Sequence, residues 1–384
     1  MTLDPRALLA DLVKLPSVNP MGRTDVPANL AYEGRVTDYL EGHLRALGVP
    51  YERQQVASGR DNLVARYVPP GAPPFSVIWE AHQDTVPVDG MVIDPFAARV
   101  DGDRLYGRGA CDVKAGIATM LTAFARLVHE KPAGSAAVVL AFTVDEEHTF
   151  LGVQHLMASG VRADCAVVAE PTGLEVVRAH KGVVRWAIET PGVACHSSRP
   201  ERGVNAIYRM GRLLTRIDEY ATALRGRPAD PLLGPPTLSV GMIQGGASPN
   251  TVPDYCRIEI DRRLIPGESP AAAVADVTAF LRAAPEIDFP FTVVEPKLAC
   301  PPLPPDGSEE LTARLGRAID AVAGSHRVAA VPYGTDASTI AAAGVPAVVF
   351  GPGDIAQAHT KDEWIDLPEV ERAVEVLYRF ACGK

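Results

Sequence analysis

Two histidines and a set of carboxylates in this chain each follow a short apolar run. His82 and Asp84 come just after the run at 75–80, Asp145, Glu146 and Glu147 after 137–144, and Glu170 after 165–169. His359 follows the run at 347–350 and a glycine-rich turn, and Asp112 sits just before an amphipathic stretch. Runs of this length rich in Val, Ile and Phe read as strands, and in open α/β sheets sites form beyond the carboxyl ends of strands. So many anions in one place repel one another unless cations join them. Imidazole nitrogen and carboxylate oxygen suit Zn²⁺ or a similar divalent ion. Five such donors are more than one catalytic zinc needs. They fit two ions sharing a carboxylate, an arrangement that can hold a hydroxide and polarise a carbonyl. Taken singly, each has an ordinary reading: His82 as a surface histidine, Glu146 and Glu147 as a solvated loop, Glu170 before Pro171 as a turn. Their joint placement, each at its own strand end, favours the metal site.

The elements that would position these groups alternate. Leu8, Leu9, Leu12 and Val13 share one helical face after Asp4-Pro5, and 32–47 reads as a second helix stopped by Gly48. Between the strands, 112–130 carries a helical stripe of Ile117, Met120, Leu121, Phe124 and Val128. Strands alternating with helices predict an α/β fold, a mostly parallel sheet covered by helices. Near residue 180 the pattern changes. The runs 183–190 and 255–263 read as strands, with 203–220 and 271–283 as helices. Ile258 and Ile260 alternate with Arg257, Glu259 and Asp261, which predicts a sheet wet on one face. After the proline-rich stretch 300–306 the first pattern returns: helix at 311–323, strand at 347–350, helix at 368–380. The expected organisation is a catalytic metal-binding domain at 1–178 and 297–384, with an α+β domain inserted at 179–296.

At 384 residues the chain is long for one core, which agrees with two domains. Its net charge of -10 opposes nucleic acid and anionic membrane surfaces as partners. Six cysteines, with no CxxC pair among them, read as buried thiols in a reducing compartment. Met1–Leu15 carries charges throughout and no run approaches the length of a membrane span, so the expected location is the cytoplasm. A nucleotide-binding reading fails because no GxGxxG follows the first strand.

Eight short segments carry a resemblance: Glu80-Ala-His-Gln-Asp-Thr85, Gly107-Arg-Gly-Ala-Cys-Asp-Val-Lys-Ala-Gly116, Asp145-Glu-Glu147, Glu170-Pro-Thr172, His196-Ser-Ser198, Asn250-Thr-Val-Pro253, Asp261-Arg-Arg-Leu-Ile-Pro-Gly267 and the His359 segment. In that order, over nearly the whole chain, it resembles the zinc metallopeptidase family of acetylornithine deacetylase, succinyl-diaminopimelate desuccinylase, aminoacylase and carboxypeptidase G. The resemblance implies that His82, Asp112 and Glu170 hold one metal, and that Asp112 bridges to a second completed by Glu147 and His359. Zn²⁺ is the first expectation, with Co²⁺ and Mn²⁺ also accommodated. Glu146 is implied as the general base and Asp84 as the partner that fixes the His82 tautomer. The resemblance also implies a cis peptide at Asp112-Val113, an inserted lid or dimerisation domain, and a homodimer in which His196 reaches a neighbour's oxyanion with help from Asn250. Arg263 would grip the substrate's α-carboxylate; its ordinary reading is a strand-surface ion pair.

The implied substrate is a small N-acylated amino acid. Arg178-Ala-His-Lys-Gly182, the segment from His196 and the segment 351–364 look most like acetylornithine deacetylase, with Glu363 or Asp362 as a possible contact for the ornithine ammonium. A desuccinylase, or a broader N-acyl-amino-acid hydrolase or dipeptidase, stands as the alternative. A non-catalytic ligand-binding relative would have lost the base or a ligand, and every one is present here. Cys195 departs from the family's usual small residue before the histidine, and Cys111 reads as packing.

Overall fold

Asp4 caps the first helix. Its carboxylate accepts the Arg6 N–H at 2.9 Å and Pro5 presets φ in the first turn, so α1 (Pro5–Val13) buries Leu8, Leu9, Leu12 and Val13. The computed structural model describes residues 3–384. The next helix, α2 (Gly34–Leu47), ends where Gly48 takes φ 67°. It begins later than the spacing predicts because Tyr32 has φ 64°, outside the helical region. A hairpin of β1 (Tyr51–Ala57) and β2 (Arg60–Tyr67) follows, then β3 (Ser76–His82), α3 (Lys114–Glu130), β4 (Ala137–Thr143), α4 (Leu151–Ala158), β5 (Cys165–Val168) and β6 (Val176–His180).

The middle of the chain contributes β7 (Gly182–Pro191), α5 (Ala206–Arg225), β8 (Thr237–Gly245), β9 (Tyr255–Leu264), α6 (Pro270–Arg282) and β10 (Thr292–Cys300). The last stretch adds α7 (Glu309–Ala323), β11 (Val328–Val331), α8 (Asp336–Ala342), β12 (Ala347–Val349) and α9 (Leu367–Cys382). The chain divides into two compact units: Met1–Arg178 with Pro305–Ala329 and Thr335–Lys384, and Ala179–Pro304 with Ala330–Gly334. No helix among the described residues is long and apolar enough to cross a membrane.

One eight-stranded sheet runs β1-β2-β4-β3-β5-β12-β6-β11. Its middle strands β4, β3, β5 and β12 are parallel neighbours, while the β1–β2 hairpin and its junction with β4 are antiparallel. Parallel strands point their carboxyl ends the same way. Whatever follows β3, β4, β5 and β12 therefore gathers along one edge. α3 covers this sheet, every residue from 114 to 125 is buried, and it packs against α1 and α9. Gly116 in its first turn is a packing requirement: a Cβ there would stand 2.6 Å from the Ala169 Cβ just past β5.

The second unit is a four-stranded antiparallel sheet, β8-β9-β7-β10. Ile258 and Ile260 of β9 point into a core with Val184, Trp186 and Ile188 of β7, Met210, Leu213 and Ile217 of α5, and Val277 and Leu281 of α6. The opposite face of β9 is wetter, as the alternation predicts. This unit extends past 296 because β10 stays paired to β7 as far as Cys300↔Val183, and Leu303 then pairs with His180. Pro296 hides the strand in the sequence. It lies at a register shift between Val294 and Leu298, where a missing N–H breaks no ladder bond.

Candidate metal centre

His82 ends β3 and is 2% exposed. Its Nδ1 lies 3.0 Å from the Asp84 carbonyl oxygen, which accepts its proton and leaves the lone pair on Nε2. That Nε2 stands 3.2 Å from Asp112 Oδ1 and 3.9 Å from Glu170 Oε1. On the other side, His359 Nε2 stands 3.1 Å from Asp112 Oδ2 and 3.3 Å from Glu147 Oε2. Two triads result, His82-Asp112-Glu170 and Asp112-Glu147-His359, each with its donor atoms within 4.8 Å of one another. They share Asp112, one oxygen facing each histidine. Ligands about 2.0–2.2 Å from a tetrahedral divalent ion stand roughly 3.3–3.5 Å apart, so the donors present fit two such ions.

The charges agree with that fit. Burial, with the carboxylates of Glu170, Asp336 and Glu147 acting in the same direction, raises the Glu146 carboxyl well above its ordinary value despite His82. Burial and then Asp112 raise Glu170 in the same way and Glu147 to a lesser degree. Burial alone would lower both histidines. Hydrogen bonds and facing carboxylates outweigh it, raising His82 well above its usual range and His359 to about 11. Burial favours a neutral Asp112, yet the hydrogen bonds from His359 and His82 hold it low. Every one of these shifts but that of Asp112 favours the protonated form, and divalent ions bound by the same donors would take the place of protons.

The sequence model of peptidase family M20/M25/M40 matches residues 78–382. An acetylornithine deacetylase of Myxococcus xanthus is 33% identical over 388 aligned residues, covering 98% of this chain and 97% of the relative. The chain belongs to peptidase family M20/M25/M40. The fold agrees with that of an M20 metallo-carboxypeptidase from Sulfolobus solfataricus, with a TM-score of 0.80 at 18% identity over 99% of both chains. A dinuclear metal-binding M20 peptidase from Bacillus subtilis superposes with a TM-score of 0.67 at 19% identity, over 98% of this chain and 96% of that one.

In this M20 chain Asp84 meets His82 Nδ1 through its backbone carbonyl and not through its side chain. Its carboxylate stands 3.7 Å from His82 Nδ1, beyond hydrogen-bonding distance, because its own backbone carbonyl takes that position. The carboxylate instead accepts the N–H of Glu146 at Oδ1 and of Glu147 at Oδ2, both at 3.2 Å. Those two N–H groups follow Asp145 at φ 69°, and successive amides after such a residue form an anion-binding concavity. Among the described residues the Glu146 carboxylate has no hydrogen-bonding partner.

Glu363 is fully buried; Oε1 accepts the N–H of Cys111 at 2.9 Å and of Asp112 at 3.0 Å, and Oε2 accepts from Arg108 at 2.6 Å. It braces the loop that presents Asp112 and is not open to a substrate ammonium. Asp362 beside it is exposed. The Asp112-Val113 peptide is cis, as the resemblance implies, and Cys111 is buried with its thiol 3.4 Å from the Asp354 carbonyl. Gly351 lets the His359 segment pass Glu170, since a Cβ there would meet the Glu170 carbonyl at 2.6 Å.

Further groups beneath the site leave weaker traces in the sequence. Thr143 donates to Glu80 at 2.5 Å and lies 3.2 Å from Asp336. Burial pushes Glu80 up to about 7 and Asp336 well above its usual range. Lys114, buried at the start of α3, donates to the Leu15 carbonyl at 2.7 Å, and burial lowers it to about 7. A carboxylate inside an apolar run and a lysine opening a buried helix are the signals that could have found Glu80 and Lys114.

The second unit carries His196, Asn250 and Arg263. His196 is exposed on a two-residue strand paired with Thr251–Val252. Its Nδ1 accepts the Ser198 N–H at 3.2 Å, so in the neutral ring Nε2 carries the proton. Asn250 accepts the Ser197 N–H at its carbonyl (2.9 Å), and the Ser248 hydroxyl donates to its Oδ1. Arg263 pairs side-on with Asp261, Nε at 2.7 Å and Nη2 at 3.3 Å. The strand ion pair is thus present, while Nη1 has no partner among the described residues.

Proposed function

We propose that this M20 chain removes the acetyl group from N-acetylornithine, using two divalent ions, Zn²⁺ first and Co²⁺ or Mn²⁺ in its place. The observation that carries the hydrolytic reading is the double triad on Asp112 with an unpartnered Glu146 carboxylate beside it. The full-length likeness to an acetylornithine deacetylase carries the choice of substrate. When bound, the ions supply a polarised amide carbonyl and an activated water. His82, Asp112 and Glu170 would hold one ion, and Asp112, Glu147 and His359 the other. Glu146 takes a proton from the attacking water and returns it to the leaving amine, a task suited to a carboxyl whose proton affinity burial has raised. His196 Nε2–H and the Asn250 amide are the donors we assign to the developing oxyanion. Arg263 keeps its end-on edge for the substrate's α-carboxylate while Asp261 holds the other edge.

The working form we propose is a cytoplasmic homodimer. All six cysteines are free, in keeping with a reducing compartment. Among the described residues β8 of the second unit pairs on one side only, and it carries Met242 and Ile243 more than half exposed. An unprotected edge with apolar side chains is a template for a second copy of the same strand. One observation favours the desuccinylase alternative: Arg199 and Arg202, exposed close to His196, have no side-chain partner among the described residues and could meet a second carboxylate.

The test is hydrolysis of N-acetylornithine, N-succinyl-diaminopimelate, N-acetylmethionine and a Gly-capped dipeptide with Zn²⁺ or Co²⁺ supplied. N-acetylornithine is expected to react fastest. Glu146→Ala is expected to lose a factor of about 10²–10⁴ in turnover with its metals in place. Preference for the succinyl substrate would replace the deacetylase reading, and full activity of Glu146→Ala would overturn the base.

A further inference from the structure

We propose that Asn19 and Arg60 are positioning residues for Glu146, acting through Asp84 and Asp145 to aim the base. The inference rests on the reading of Glu146 as that base.

With no partner on its carboxylate among the described residues, Glu146 stands where its backbone turn puts it. Two carboxylates hold that turn. Asp84 grips the N–H groups of Glu146 and Glu147. Asp145, one residue before, sits in the left-handed region and is pinned there: its Oδ1 accepts from Arg60 at 2.6 Å and from Asn19 at 2.9 Å, Oδ2 bonds the Thr149 hydroxyl, and its N–H reaches Glu33 at 3.3 Å.

One amide links both carboxylates. Asn19 Nδ2 gives one hydrogen to Asp84 Oδ2 at 2.8 Å and the other to Asp145 Oδ1. Asn19 is itself held on both remaining sides, accepting the Met21 N–H at 2.9 Å and donating its own N–H to the Thr85 carbonyl at 2.8 Å. Arg60 is the cation of the group. Its fork spans Asp145 and Glu33, with Nε on Glu33 at 2.9 Å and the Tyr32 ring 5.0 Å away. Three buried carboxylates thus share one guanidinium and one amide. Removing either donor lets Asp84 and Asp145 move apart, and the turn carrying Glu146 moves with them. A misplacement of about 1 Å costs a catalytic group roughly 100-fold. Substrate affinity is not touched, because neither residue belongs to the assigned substrate contacts.

The experiment compares Asn19→Ala, Asn19→Asp and Arg60→Lys with the wild type. All are Zn²⁺-loaded, their metal content is measured, and kinetics are followed on the amide that the wild type turns over fastest. Asn19→Ala is expected to lower kcat about 10–100-fold, as changes to such supporting partners do, with KM within about twofold and both ions retained. Asn19→Asp, of the same shape but with a carboxylate where the donors were, is expected to lose more. Arg60→Lys keeps the charge without the fork and is expected to fall between the wild type and Asn19→Ala. Unchanged kcat in Asn19→Ala, or a loss expressed as raised KM or as missing metal, would overturn the inference. If Asn19→Asp does not fold, Asn19→Ala decides alone. Glu146→Ala runs alongside: if it stays active with both ions bound, the base assignment fails; if it is inactive while Asn19→Ala is normal, only the positioning inference fails.

Discussion

Asp112 turns one carboxylate oxygen to each histidine, and the two halves it joins differ in exposure. His82 is buried at the end of β3, whereas His359 is half exposed and sits at φ 61° on a loop. Acid should separate them. Both histidines are raised above their ordinary range by facing carboxylates, so the metal-free cluster holds its protons through neutral pH. Metal binding requires the deprotonated forms, so falling pH favours protons over ions and apparent affinity falls with it. Dialysis at about pH 8 should leave two ions per chain and dialysis at about pH 5 fewer, with the ion on the His359 side leaving first. His359→Ala at neutral pH should bring the count to one. Two ions retained by that variant would remove His359 from the ligand set. The ligands we propose are legible in part because His82, Glu147 and Glu170 follow apolar runs directly, while His359 stands beyond a glycine-rich turn and Asp112 just before a helical stripe. Asn19, Arg60 and Glu363 are not, since a buried polar residue and a solvated one look alike in sequence until their partners, as far apart as Glu363 and Cys111, are known to meet.

At the scale of elements, the long helices and central strands follow from their periodicity. The stripe from Ile117 to Val128 marks α3, and the Val-rich runs mark β3, β4 and β5. Elements without such a pattern went unread. β1 is Tyr-Glu-Arg-Gln-Gln-Val-Ala, a polar edge strand held by its hairpin partner, and α4 and α8 are too short to show a stripe. What places Asp112 near Glu170 is the contact between the first turn of α3 and the end of β5, and Gly116 permits it. Alanine in place of glycine within a helix gains about 1 kcal/mol from propensity. Here the new Cβ would meet a β-carbon of Ala169 at 2.6 Å, and a β-carbon cannot rotate away. Overpacking of this kind costs about 1–3 kcal/mol, so the clash should win. Gly116→Ala is expected to lower the midpoint of urea unfolding and to weaken the ion held by His82, Asp112 and Glu170 more than the other. A midpoint at or above that of the wild type would mean the sheet gives way easily and the close approach is not set by this glycine.

At the scale of the whole molecule, the likeness to full-length M20 relatives and the order of the motifs along the chain give one account of the architecture, and the two-unit division adds where each part ends. The catalytic groups assigned here are split between the units, with the ligands and Glu146 in one and His196, Asn250 and Arg263 in the other. We propose that the second unit pairs with a second copy of the chain. The surface for it is specific: among the described residues β8 leaves one edge unpaired, with Met242 and Ile243 exposed on it. A charge placed on that edge strand should repel its symmetry mate in an isologous contact, where the same patch faces itself. The wild type is therefore expected to elute from a sizing column at about twice the chain mass. Ile243→Asp should elute as a monomer with its metals retained, because neither triad lies in that unit. Loss of turnover in a metal-loaded monomer would tie activity to the second copy, as a donor such as His196 supplied by the neighbour requires. Full turnover in the monomer would instead mean that each chain completes its own oxyanion contacts, and a wild type that elutes as a monomer would remove the dimer altogether.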